Sequence, residues 1–286
     1  MSQSFKDFEW IVIDGGSTDG SRNLLEIYKK YFSYWCSEPD KGVYNAQNKG
    51  ISVAKGEYMS FMNSGDEFYD KDTLKNVFMN EPKADILYGD WVHRYSNSEK
   101  IQYAPHEMSL IYIFTDNICH QAMFIRSSLL RQKGYDENMK IFSDWKRWRE
   151  AVLARNTFQY VPHVICKFDA GGISGTPSQQ NAYERQLLYD AIPKEFKSSV
   201  NEHAKLKEKL YRYDGRMFTG SCCGIISTGN TGKPNCCSGT GRTDTGSTAS
   251  SPCRIAIPAI RTEEFQSRFY IFVSRNNYSV NPKTLL

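Results

Sequence analysis

No run of apolar residues in this 286-residue chain approaches the roughly 18 to 20 that a membrane-spanning helix requires. The opening stretch, MSQSFKDFEW, lacks the basic-then-apolar order of a secretion signal. These absences lead to the expectation of a cytoplasmic chain, any membrane association being peripheral, at the inner face. Charge of one sign is also scarce. Lys and Arg number 36 against 32 Asp and Glu, a balance of +4 that calls for no nucleic-acid partner but suits an anionic small molecule. Thiolate spacing for a metal is missing too: Cys222 and Cys223, like Cys236 and Cys237, are adjacent pairs rather than the CxxC of a zinc site. Cys36, Cys119 and Cys166 are scattered singly and read as small buried hydrophobes.

Aromatic residues are plentiful. With 18 Tyr, 16 Phe and 40% hydrophobic residues, the chain has the material for a core, and its length fits one large or two small domains. FEWIVID at 8–14 is a short β-branched and aromatic run closed by Gly15 and Gly16, which predicts a strand. Leu24, Leu25, Tyr28 and Phe32 then recur at helical spacing, with Ser17 or Thr18 as the expected cap. A strand at 34–37, a helix over 43–54 and a strand at 57–63 follow, and such alternation predicts an α/β layer with a mainly parallel sheet. Further on, the pattern predicts a helix near 72–80, strands at 84–90, 118–126 and 158–168, and a hairpin over 91–103. A helix over 143–154, capped by Ser143, carries Trp145 and Trp148 at core-facing spacing, and helices beyond Asn181 close the unit near residue 215. From Thr219 to Pro252, Gly, Ser and Thr supply 20 of 34 residues, a composition that cannot bury enough surface to order itself. The expected division is therefore a globular domain over 1–215 and a tail over 216–286.

Acidic and polar residues gather where strands are predicted to end: Asp14 after WIVI, Asn63-Ser64-Gly65-Asp66 after YMSFM, and Gly89-Asp90 after ILY. Ligands of open α/β sheets sit outside the carboxyl ends of the strands, and a carboxylate there is costly to desolvate without a partner. One acidic residue on a glycine-loosened loop suits Mg²⁺ or Mn²⁺, which prefer oxygen ligands completed by substrate phosphates. The other reading of each Asp is a helix cap or a turn residue.

Taken together, four blocks resemble family 2 of the inverting, nucleotide-sugar-dependent glycosyltransferases. They are IVIDGGSTDGS, the stretch DKGVYNAQNKGISVAKGEYMSFMNSGDEF at 40–68, CHQAMFIR, and GYDENMKIFSDW. The resemblance spans about residues 5–170 with the blocks in order. It implies a GT-A-like (Rossmann-like) fold, transfer from a nucleoside diphosphate sugar to a glycan or lipid-linked acceptor, and a Mn²⁺ or Mg²⁺ cofactor. Surface polysaccharide assembly is the implied setting. Residue by residue, it implies Asp144 as general base and Asp66 as metal ligand, with Asn63 beside it. Asp14 would contact the nucleoside, Asn48 and Lys49 would line the nucleotide pocket, and His120 and Gln121 would bind donor phosphate or acceptor. Two departures stand out: NSGD lacks a second acidic residue, and Ser143 sits where an acidic residue often precedes the base. Family members also begin with a further strand and helix, so the resemblance leads one to expect an incomplete N-terminus and a gap at the centre of the sheet. Two other readings remain. One is a sugar-phosphate nucleotidyltransferase, which would want a basic residue in GGSTDGS, where none precedes Arg22. The other is a catalytically defective fragment with weak nucleotide binding.

Overall fold

The computed structural model describes residues 3–95, 97–169, 172–213 and 268–274. Cys222, Cys223, Cys236, Cys237, Cys253 and the Gly/Ser/Thr-rich stretch lie outside the described residues. Among those described, Cys36, Cys119 and Cys166 are free, and only Cys166 is fully buried.

The first half follows the expected alternation. Strand β1 (Phe8–Asp14) leads to α1 (Ser21–Tyr28), β2 (Tyr34–Ser37), α2 (Val43–Val53) and β3 (Tyr58–Asn63). Ile11, Val12 and Ile13 are essentially inaccessible to solvent, as the unbroken apolar run of a strand covered on both faces requires. The expected serine or threonine cap of α1 is replaced by Gly20, at φ +87°, because Ser17 is drawn back to Asp14. Next come β4 (Glu67–Phe68), α3 (Thr73–Phe78), the long β5 (Ile86–Tyr95) and β6 (Ser98–Gln102), the last two forming the expected hairpin.

The second half contains α4 (Leu110–Thr115), β7 (Met123–Arg126), α5 (Ser127–Gln132), α6 (Ser143–Leu153), β8 (Phe158–Asp169), α7 (Gln179–Asp190) and α8 (Lys194–Tyr213). The stretch 118–122, expected as strand, includes a 3₁₀ turn at His120–Ala122 before β7 begins. No helix among the described residues is long and apolar enough to cross a membrane.

A ninth strand, β9 (Arg268–Ser274), comes from the 216–286 segment, so the sheet draws on both sides of the expected boundary. The order is β2-β1-β9-β3-β7-β5-β8-β4, with β6 on β5. Strands β1, β2, β3, β5 and β8 share one direction, as the α/β class requires. The sheet as a whole is mixed, because β7 and β9 run the other way between them. β9 fills the place where the sequence led one to expect a gap. It pairs antiparallel with β1 from Phe8↔Ser274 to Asp14↔Arg268, and with β3 from Tyr58↔Ser274 to Asn63↔Phe269.

Candidate active site

Asp14 ends β1 with no exposed surface. Its carboxylate accepts hydrogen bonds from the Ser17 amide at 3.0 Å, from Ser17 Oγ, and from Ser37 Oγ at 2.7 Å. It therefore ties the GGS turn to the end of β2. A side chain at Gly15 would come within 2.5 Å of Asp40 Oδ2, so the bare turn lets the Asp40 carboxylate lie against it. Asp40 Oδ1 accepts from the Gly42 amide at 2.8 Å, while Oδ2 is buried without a hydrogen-bond partner among the described residues.

At the end of β3 the chain turns through Gly65, at φ +91°, and brings Asp66 back over the strand. Asp66 Oδ2 accepts from Gln121 Nε2 at 2.6 Å and from the Asn63 amide at 3.2 Å, and Oδ1 accepts from the Asp169 amide at 3.1 Å. Burial, only partly offset by these donors, pushes its carboxyl up to about 7. Asn63 Oδ1 is buried and has no hydrogen-bond partner among the described residues.

Asp144 lies in the first turn of α6, where the helix dipole favours an anion. Ser143 does not cap this helix as expected; it is the first helical residue, and its Oγ accepts from the Asp136 amide at 2.6 Å. The Tyr44 hydroxyl lies 2.9 Å from Asp144 Oδ1 and 2.7 Å from the Ile141 carbonyl oxygen. Burial raises the Asp144 carboxyl to about 6, against the opposing pull of the Trp145 amide and the Tyr44 and Asn117 side chains. The segment leading into α6 is fixed by Glu184 of α7, whose buried carboxylate accepts from the amides of Lys140, Ile141 and Phe142 at 2.6, 3.0 and 2.9 Å.

Asp14, the NSGD turn and Gln121 share one edge of the sheet. β1 and β3 run in the same direction, so Asp14 and the NSGD turn lie at the same side. β7 runs oppositely, which puts Gln121, just before it, at that side as well. From Asp66 a line of contacts leads through Gln121 to its neighbour His120, whose Nε2 is 2.8 Å from the Tyr135 hydroxyl. The Tyr135 ring packs 5.5 Å from that of Tyr44, which reaches Asp144.

Several residues singled out in the sequence have internal partners instead of open surfaces. His120 packs its ring 5.0 Å from Phe61 and 5.6 Å from Trp148, and burial lowers it to about 3, so it is a neutral hydrogen-bonding member of the core. Asn48 uses its whole amide: Nδ2 donates to the Tyr135 carbonyl and Glu137 Oε1, both at 2.9 Å, and Oδ1 accepts from the Tyr135 amide at 2.9 Å. Lys49 is half-exposed on the rim, paired with Glu38 at 2.8 Å. Trp145 and Trp148 are core residues, as their spacing predicts. Asp90 is not at a strand end, because β5 runs on to Tyr95; its carboxylate accepts from the Ala104 amide at 2.9 Å and from the Tyr160 hydroxyl.

Glycosyl transferase family 2 matches residues 1–152, more than half of the chain. The chain belongs to glycosyl transferase family 2. A PGL/p-HBAD biosynthesis glycosyltransferase of Mycobacterium bovis is 33% identical over 186 residues, which cover 61% of this chain and 70% of that protein. An uncharacterised glycosyltransferase of Mycobacterium tuberculosis is 32% identical over 221 residues, covering 73% of this chain and 83% of that one. A solved mannosyltransferase from Pyrobaculum calidifontis, in complex with GDP-Man and Mn²⁺, aligns at 18% identity with a TM-score of 0.47. The alignment covers 72% of this chain and 63% of that one, so this chain spans less than two thirds of that protein's length.

As a family 2 glycosyltransferase with a GT-A-like α/β fold, the chain carries oxygen donors at the β3 end that fit a hard divalent cation. They are the Asp66 carboxylate, which has no positive partner among the described residues, and Asn63 Oδ1, unpartnered among them as well. Among the described residues no group of three or more His, Cys, Asp or Glu could hold a metal by itself, so phosphate oxygens would have to complete the shell. Sequence reasoning missed Asp40, Tyr44 and Glu184. Tyr44 stands four residues before Asn48 on α2, so one helix face could have signalled both. Glu184 lies beyond the resembling blocks and carries no local signal.

Proposed function

We propose that this glycosyltransferase moves a sugar from a nucleoside diphosphate sugar to a hydroxyl of a glycan or lipid-linked acceptor, with inversion. The observation that carries this reading is Asp144: a buried carboxylate at a helix N-terminus, with its pKa pushed up to about 6, close to the working range of a general base. In a single displacement, Asp144 takes the acceptor's proton as the acceptor oxygen attacks the anomeric carbon and the bond to the diphosphate breaks. One base and no enzyme nucleophile suffice, and the product is inverted.

Asp14 and Asp40 frame the nucleoside side. Asp14 holds the turn, and Asp40 Oδ2 offers a free buried acceptor. Lys49 stands at the rim of the nucleotide pocket, and Asn48 supports it from behind by fixing the 135–137 loop. Asp66 with Asn63 would hold Mn²⁺ or Mg²⁺, and Gln121 orients the Asp66 carboxylate. When bound, the cation supplies charge stabilisation for the diphosphate leaving group. His120 acts through Tyr135 instead of touching substrate. The naming of one relative as a PGL/p-HBAD biosynthesis glycosyltransferase supports a biosynthetic role for the transfer, and peripheral membrane contact would bring a lipid-linked acceptor within reach.

The test is a panel of UDP- and GDP-sugars assayed for transfer and donor hydrolysis with Mn²⁺, alongside calorimetric nucleotide titrations. Asp144→Asn should keep nucleotide affinity within about twofold and lose about 10²–10⁴ in turnover. Asp66→Ala should abolish the metal dependence of nucleotide binding. Undiminished turnover in Asp144→Asn would remove the base, and nucleotide binding that ignores metal would remove the cation site.

A further inference from the structure

The Tyr44 hydroxyl has one hydrogen and two acceptors. It stands 2.9 Å from Asp144 Oδ1 and 2.7 Å from the Ile141 carbonyl oxygen, and it cannot donate to both along good lines at once. Both acceptors are fixed. Asp144 is held in the first turn of α6, and the Ile141 peptide is pinned through its amide by Glu184. Tyr44 itself is buried, and its ring is packed against Tyr135.

We propose that Tyr44 is a positioning residue for the base, its hydroxyl rotating between Asp144 and the Ile141 carbonyl as Asp144 loses or holds a proton. This rests on the reading of Asp144 as general base. With Asp144 ionised, the hydroxyl donates to Oδ1, an acceptor stronger than a neutral carbonyl. Once the acceptor's proton sits on Asp144 Oδ1, the tyrosine hydrogen turns to the Ile141 carbonyl, and the tyrosine oxygen accepts from the Oδ1–H of the new carboxylic acid. No bond in Tyr44 breaks and no proton leaves it. Burial and the neighbouring carboxylate hold its phenol well above the ordinary tyrosine range, so it stays protonated throughout. Both charge states of the base thus keep a hydrogen-bonded site, and the carboxylate need not change rotamer between them.

The other groups facing Asp144 do not duplicate this. Asn117 donates to the ionised carboxylate but is no rotor. Tyr135 spends its hydroxyl contact on His120, itself neutral. Arg147, one turn along α6, donates to the carbonyls of Lys133 and Leu129, and Arg185 of α7 lies over the Phe142 ring. Glu184 is directed to the backbone amides.

The test uses the full chain with 3-fluorotyrosine at position 44, a change small enough to keep the packing. Its ¹⁹F resonance should titrate with the midpoint of Asp144, read independently from the side-chain ¹³C carboxyl signal, and become flat in Asp144→Asn. A second variant, Tyr44→Phe, should weaken Asp144 as an acid by roughly three- to tenfold, and the acidic limb of donor hydrolysis should move upward with it. The donor is the nucleoside diphosphate sugar hydrolysed fastest in the UDP- and GDP-sugar panel. A ¹⁹F signal unchanged between pH 5 and 8, or an Asp144 titration unmoved in a folded Tyr44→Phe protein, would overturn the inference. If the Asp144 titration moves while the limb of the rate profile stays, the rotor stands and the base reading falls.

Discussion

Two carboxylates, the half-buried Asp66 and the buried Asp144, sit where ionisation is unfavourable, and both are raised above the ordinary aspartate range mainly by desolvation. A carboxyl raised in the folded state favours folding while protonated, so its contribution is lost as pH rises from the unfolded value to the folded one. For Asp66 that window runs from 3.8 to about 7. In metal-free protein at pH 8, Asp66→Asn should therefore be more stable than the wild type by about 1–3 kcal/mol, a gap that closes towards pH 4 in urea titrations. Added Mn²⁺ should raise the midpoint of the wild type alone. Asp144, titrating at about 6, should give a rate that falls tenfold per pH unit below that value, in a single-turnover pH profile. The site residues were legible to different depths. Asp14 and Asp66 stood out because a carboxylate after an apolar run is conspicuous in one dimension, whereas Asp144 was marked only by the resemblance of its block. The partners that set their properties, Tyr44 and Glu184, lie 100 and about 40 residues from what they hold, and no local pattern announces such a pairing.

The long periodic elements were readable, as were the short β2 and α3, while other short elements and the helix caps were not. α2 and α6 match their apolar spacing to within a residue. α4 and α5, each six residues long, give too little periodicity to see. Serines at the starts of α1 and α6 looked like caps, but Ser17 and Ser143 serve Asp14 and the Asp136 amide instead, so tertiary partners outweigh local capping preference. Gly89 has a packing reason the sequence did not reveal: a side chain there would come within 2.6 Å of the His163 carbonyl oxygen, at the irregularity between β5 and β8. Gly89→Ala should cost about 1–3 kcal/mol in denaturant unfolding. β9 makes a sharper prediction. As a central strand with ladders on both sides, its amides from 268 to 274 should exchange as slowly as those of β1 and β3. Ile271→Pro, which removes a ladder donor, should destabilise the protein by about 3 kcal/mol or more.

At the scale of the chain, the candidate site is assembled from segments far apart in sequence. The family match ends at residue 152, yet the loop before Asp144 is held by Glu184 of α7. Glu184→Ala would leave three amides unpaired and should lower stability by about 2–5 kcal/mol, with turnover falling even where the protein remains folded. The α/β class was legible because alternation of strand and helix is a local signal summed along the chain. The position of β9 was not, because nothing in RFYIFVS says which two strands it will join. Its place in the order of synthesis matters. β1 and β3 leave the ribosome some 200 residues before the strand that separates them, so the nascent polypeptide carries two bare β edges until that strand has been made. Unpaired edges of that kind invite association, so the yield in cells should follow chaperone supply more closely than the final stability would suggest.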